Sequence, residues 1–136
     1  MILTTCLLVS DDPDDHIEFS EALYEVSNDL ILVTVTHPGK AVDLLALRQC
    51  VPSFIFLNLD LGEFNPDDFL RAVEANPDLE GIQIIAYGAY SDYEKLQTRR
   101  VTAFLNHQTS YSELRSFLRK ILGSDGAQRG SADFRK

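Results

Sequence analysis

The run Leu7-Leu8-Val9-Ser10-Asp11-Asp12-Pro13-Asp14-Asp15 decides how the rest of the chain is read. Residues 3–9 are apolar or β-favouring, the pattern of a strand covered on both faces. Asp12-Pro13 then supplies an N-cap and a proline at the first helical position, and Asp15 adds negative charge to the first turn. Phe19, Ala22, Leu23 and Val26 follow at helical spacing, so residues 13–26 are an amphipathic helix. A strand passes directly into a helix through an acidic turn.

The same alternation extends to the other end of the chain. Residues 30–35 form a second strand, and Pro38-Gly39 opens a helix carrying Ala41, Leu44 and Leu45. Residues 54–57 are apolar at every position, as a central parallel strand requires. Asn65-Pro66 repeats the cap-plus-proline device before a helix lined by Phe69, Ala72 and Val73, which Asn76-Pro77 ends. Residues 82–86 are a fourth strand. Ser91 with Glu94 has the capping-box pattern before a short polar helix ending near Arg100. Residues 103–105 are a short fifth strand, and Ser110 with Glu113 opens a last helix whose stripe is Leu114, Phe117, Leu118, Ile121 and Leu122. Five strand-then-helix units imply a parallel sheet with helices on both faces, joined by right-handed crossovers. Ligands of such sheets sit at the carboxyl ends of the strands. The positions to examine are those just after Val9, Leu57, Ala86 and Leu105.

The bulk numbers narrow the function. The chain has 136 residues, of which 45% are apolar, enough for one domain with a real core. One domain over residues 1–122 and a flexible tail over 123–136 account for it. No apolar run approaches the ~20 residues needed to cross a bilayer, and the first residues lack the pattern of a secretory signal. These features imply a cytoplasmic protein with no membrane contact. A net charge of −9 argues against nucleic acid, whose binders need a basic stripe. Arg99-Arg100 and Arg115…Arg119-Lys120 read as solvated or protein-contact charges. Cys6 and Cys50 read as buried free thiols. His16 and His37 read as ordinary surface residues, without metal-ligand spacing. The acidic run of residues 11–15 lacks the alternating ligands and the glycine of a Ca²⁺ loop.

The strand ends carry a resemblance. The opening Leu7-Leu8-Val9-Ser10-Asp11-Asp12-Pro13-Asp14-Asp15 resembles that of bacterial response-regulator receiver domains of the single-domain type. Pro52-Ser53-Phe54-Ile55-Phe56-Leu57-Asn58-Leu59-Asp60-Leu61 is similar to the strand bearing the phosphorylated aspartate. Gln83-Ile84-Ile85-Ala86-Tyr87-Gly88-Ala89 resembles the segment that ends in a hydroxyl residue, and Ala103-Phe104-Leu105-Asn106-His107-Gln108 occupies the place of the segment ending in Lys-Pro. The resemblance implies a flavodoxin-like α/β/α sandwich with a five-stranded parallel sheet of order 2-1-3-4-5.

In that family two acidic residues and the phosphoacceptor aspartate hold Mg²⁺, while the hydroxyl residue and the lysine contact the phosphoryl group. Here the acidic pair falls on Ser10 and Asp11, with Asp12 one place beyond, where it caps the first helix. The phosphoacceptor falls on Asn58, the hydroxyl residue on Gly88 and the lysine on His107, and Gln108 replaces the proline. The amide of Asn58 is neutral and cannot form an acyl phosphate. Mg²⁺ wants hard anionic oxygens, and only Asp11 remains to attract it, weakly. Gly88 offers no hydroxyl, and histidine, with an ordinary pKa of about 6.5, is a poor substitute for a permanent cation. Phe104 corresponds to the aromatic that swings inward on activation. The missing side chain at Gly88 leaves a space for Phe104 or Tyr87 to fill.

The resemblance therefore implies a receiver that has lost its chemistry: no enzyme, no cofactor, and a phosphorylation-independent interaction module. Its partners would be signalling proteins such as a histidine kinase, a phosphotransfer protein or another regulator. A homodimer through the face of the fourth helix, fifth strand and fifth helix is a further possibility of such a domain. Two other readings stand beside it. One is a phosphorylatable receiver using a non-standard aspartate such as Asp60. The other is a small flavin-binding protein of flavodoxin type, against which the acidic loop after the first strand argues, because it would repel a phosphate.

Overall fold

The computed structural model describes residues 3–60, 65–97, 100–106 and 110–123. The remainder, which includes His107, Gln108, Arg99 and nearly all of the expected tail, lies outside the described residues. The elements run β1 (Thr4–Val9), α1 (Pro13–Val26), β2 (Leu30–Val35), α2 (Pro38–Ala46), β3 (Phe54–Asn58), α3 (Pro66–Glu74), β4 (Gln83–Gly88), α4 (Tyr90–Glu94), β5 (Ala103–Asn106) and α5 (Tyr111–Leu118). A 3-10 turn, Pro77–Leu79, follows α3, and a π turn, Arg119–Gly123, continues α5. The five strands are parallel in the order β2-β1-β3-β4-β5, as the alternation and the resemblance imply.

Side-chain alternation along each strand divides the core into two layers. Leu7, Val9, Ile55, Leu57, Ile84 and Ala86 face α2 and α3, meeting Ala41, Leu45, Phe69, Leu70 and Val73. Cys6, Leu8, Phe54, Phe56, Ile85 and Tyr87 face α1 and α5, meeting Phe19, Ala22, Leu23, Leu114 and Leu118. β3 is buried at all its positions, with β1 on one side and β4 on the other.

The helix starts share one device. Asp12, His37, Asn65 and Asn76 each precede a proline, and each side chain accepts a hydrogen bond from the backbone N–H two residues on. Proline has no N–H to satisfy at that position, so cap and proline together close the first turn. His37 is thus an exposed helix cap, with Nδ1 accepting from Gly39 N at 2.9 Å. The Ser110–Glu113 capping box forms. The one expected at Ser91 and Glu94 does not: β4 runs on to Gly88, α4 begins at Tyr90 on Ala89 without a side-chain cap, and Ser91 already lies inside the first turn. That helix also ends early, at Glu94. The chain beyond it leaves the helical path, with Gln97 N donating to Asp67 Oδ1 in the first turn of α3.

Candidate functional site

Ser10 follows β1, Asn58 ends β3 and Gly88 ends β4, so the fold brings these three to the carboxyl edge of the sheet. Ser10 and Asn58 are 0% and 3% exposed, and they enclose a third polar residue, Asp15, at 6%. One carboxylate oxygen of Asp15 gathers the site. Its Oδ2 accepts from Ser10 Oγ at 2.7 Å, from the Tyr87 hydroxyl at 2.6 Å and from Asn58 Nδ2 at 3.3 Å. Ser10 Oγ in turn accepts from Asn58 Nδ2 at 3.1 Å and from Asp12 N at 3.1 Å. The amide orientation of Asn58 follows from both of its ends, since Oδ1 accepts from Asp60 N at 2.8 Å and leaves Nδ2 to face the carboxylate. His16 Nε2 donates to the Ser10 carbonyl at 2.7 Å and pins the turn; a carbonyl only accepts, so that nitrogen carries the proton.

Two of these residues were not legible as site residues. Asp15 reads from sequence as a first-turn charge, yet it is buried. The signal was present: residues 15, 19, 22, 23 and 26 share one helix face, and the other four are the core stripe. Tyr87 reads as a possible filler of the Gly88 space. Instead it alternates onto the α1 side of the sheet, where Phe19 packs against its ring at 5.1 Å and its hydroxyl reaches Asp15. Burial, with the adjacent Asp15 carboxylate, pushes the Tyr87 hydroxyl far above the ordinary tyrosine range, so it remains a neutral donor.

The other expected residues separate from this cluster. Asp11 is exposed, and Asp12, half-buried, caps α1 by accepting from Asp14 N at 2.9 Å. Asp60 is exposed and meets the cluster only through its backbone N–H. Phe104 lies on the opposite side of the sheet, stacked on Tyr93 at 4.4 Å with Tyr90 at its edge. Neither aromatic fills the space at Gly88; Leu59 does. A Cβ on Gly88 would stand 3.3 Å from the Leu59 Cβ, and φ there is +145°, a conformation that L side chains rarely adopt.

The arrangement can hold three chain segments together, and its chemistry is that of donors closing on one buried carboxylate. Among the described residues, no three His, Cys, Asp or Glu side chains converge as a metal site, and no helix is long and apolar enough to cross a membrane.

The order and layering of these elements are the fold of CheY-like receiver domains. Solved structures agree. The chain is similar to the phosphorylated cyanobacterial phytochrome response regulator RcpA, at 20% identity and a TM-score of 0.74, covering 88% of this chain and 91% of that one. It is similar to the chemotaxis response regulator CheY4 of Vibrio cholerae, at 16% identity and a TM-score of 0.72 over 88% and 99% of the two chains. It is also similar to the receiver domain of a sensor histidine kinase from Pseudomonas aeruginosa PAO1, which holds a magnesium ion in its active-site cleft, at 20% identity and a TM-score of 0.72 over 90% and 99%. At these identities the likeness establishes the fold. No protein-family profile and no curated protein sequence matches the chain.

Proposed function

We propose that this domain is a cytoplasmic signalling module of the receiver type that acts by binding other proteins and takes no phosphoryl group. One observation carries the reading: the position that would accept phosphate is Asn58, and its amide is committed on both sides, to Asp60 N through Oδ1 and to Ser10 and Asp15 through Nδ2. An uncharged amide enclosed in this way offers no nucleophilic oxygen. The donor set does not suit Mg²⁺ either. Where the family has three carboxylates, this chain places a hydroxyl, an amide N–H₂ and the solvent-exposed Asp11, and two donors pointing inward leave a hard cation little to bind.

On this reading the domain is not an enzyme and needs no cofactor. Its partners are a histidine kinase, a phosphotransfer protein or another regulator. The Tyr90–Tyr93–Phe104 cluster on α4 and β5 is a fixed contact surface, because Phe104 is held between two rings and has no hydroxyl at Gly88 to follow inward. The test is incubation with acetyl phosphate and Mg²⁺, read by intact mass. No phosphoryl addition is expected under conditions that label an ordinary receiver. A labelled species mapping to Asp60 would replace this reading with that of a receiver using a displaced aspartate.

A further inference from the structure

β2 is one edge of the sheet, with β1 on its inner side alone. The Asp29 and Val35 carbonyls accept from the N–H groups of Thr4 and Ser10 at 2.8 and 3.0 Å. Neighbouring residues of an extended strand direct their N–H and C=O to opposite sides. Ile31, Val33 and Val35 therefore address β1, and Leu30, Leu32 and Thr34 turn theirs outward. Among the described residues no backbone group meets them. Edge strands are ordinarily guarded by a charge, a proline, a bulge or shortness. β2 has none of these guards: it is six residues long, its register with β1 is unbroken, and no charged residue or proline lies between Asp29 and His37. Ile31 is 42% exposed, Thr34 is exposed, and Leu30, Leu32 and Val33 are half-buried. The other edge strand, β5, has only four residues and ends in Asn106.

We infer that two copies of this chain associate through β2, antiparallel about a two-fold axis at Leu32, so that their two sheets become one. An antiparallel ladder forms its hydrogen bonds between residues that face each other's strand. The register that sets Leu32 against its counterpart, and Leu30 against Thr34 across the axis, uses all three outward residues and gives about six backbone hydrogen bonds. It also sets Ile31 opposite Val33, a pair of β-branched apolar side chains, and keeps the two Asp29 carboxylates at opposite ends of the ladder. Composition selects the occupant: an edge without charge offers nothing to a charged partner, whereas β2 complements itself along its whole length. Pairing with the shorter β5 would leave part of β2 uncovered and generate an open chain of copies instead of a closed pair. Six residues a side bury less than a standard interface, so the association is weak, and the −9 of each chain opposes it until salt screens the charge.

The test is sedimentation equilibrium of the full chain from about 10 μM to about 1 mM at physiological salt, with amide hydrogen exchange at both limits. A monomer–dimer equilibrium is expected, with the N–H groups of Leu30, Leu32 and Thr34 exchanging freely in the dilute protein and protected in the concentrated one. Thr34→Pro removes an outward donor that no bond within the chain uses, and Ile31→Lys adds a charge to the exposed side of the strand. Each should weaken the dimer about tenfold or more. Circular dichroism melts show that the variants fold, and Ile31→Lys decides should the proline variant not fold. A parent that stays monomeric throughout, a dimer that persists unchanged in Ile31→Lys, higher oligomers in place of a dimer, or protection that rises elsewhere and not on β2 would each overturn the assignment. None of these results bears on labelling by acetyl phosphate, so the two proposals fail separately.

Discussion

Asn58→Asp turns the network against itself. The substitution keeps the shape of the side chain and replaces the amide donors with a second carboxylate beside Asp15. At the 3.3 Å that separates Asn58 Nδ2 from Asp15 Oδ2, two unit charges in an effective dielectric of about 20 repel by about 5 kcal/mol. The lost hydrogen bond to a charged partner adds about 1.5–3 kcal/mol. Local relaxation and uptake of a proton by the pair limit the total, and the expected loss at neutral pH is about 3–5 kcal/mol. That is a large part of the roughly 5–15 kcal/mol that holds a domain folded. It corresponds to a fall in Tm of about 10–20 °C.

The sign of the pH dependence follows from like-charge repulsion. In the variant the introduced carboxyl has a folded pKa raised above its unfolded value of about 4. Its contribution is therefore intact below the unfolded value and is lost as pH rises through the folded one. The deficit relative to the parent should be small in acid and grow toward neutrality. Mg²⁺ should recover part of it by binding between the carboxylates, and should leave the parent's Tm unchanged. Thermal melts of both proteins across this pH range, with Mg²⁺ or a chelator, supply the comparison. If Asn58→Asp in chelator melts with the parent at neutral pH, the buried network does not have the electrostatic character described here.

Three further outcomes follow from the same geometry. Tyr87→Phe removes the 2.6 Å bond to Asp15 while keeping the ring, and should lower stability by about 1.5–3 kcal/mol in urea titration; an unchanged midpoint would mean that water replaces the hydroxyl. Gly88→Thr, which would place a hydroxyl at the end of β4, forces a β-branched residue to φ +145° with its Cβ against Leu59, and should cost about 1–3 kcal/mol; a variant that melts with the parent would show that the β4 end yields freely. Cys6 is fully buried with its thiol pushed up to about 12, and the buried Cys50 thiol is also raised. Neither should react with an alkylating reagent in the folded protein near neutral pH, and rapid labelling of Cys6 would indicate that β1 opens.

Much of the fold was legible because local signals agreed with one another. The limits of α1 and β2 follow from the proline cap and from apolar runs that need no tertiary information. The site was only half legible. Ser10 and Asn58 stand out as departures from a pattern, but their partners Asp15 and Tyr87 carry residue types that sequence assigns elsewhere. A carboxylate after a cap reads as a dipole partner, and a tyrosine in a strand reads as core. What joins them to Asn58 is contact across 43 residues and across 72 between Asp15 and Tyr87, which no local rule reports. α4 was misjudged for a related reason. Beyond its end at Glu94, the backbone N–H of Gln97 bonds to another helix, through Asp67, and does not continue the turn.

The departures from the receiver pattern are interdependent in the folded protein. A buried carboxylate at Asp15 requires donors, and Ser10, Asn58 and Tyr87 provide three. An aspartate at 58 would withdraw one donor and add a charge, and an acidic residue at 10 would do the same to the shortest but one of these bonds. Either change is better tolerated with a cation between the carboxylates, whereas the N–H and O–H donors of the present arrangement do not favour one. Gly88 is bound by a separate constraint, since its backbone conformation and Leu59 together exclude a larger side chain. An acidic residue introduced at position 10 or 58 alone would thus give a state less stable than the present one. At Ser10, Asn58 and Tyr87 the polar atoms are paired with each other and with Asp15, and this pairing holds the β1–α1 turn, β3 and β4 in one arrangement.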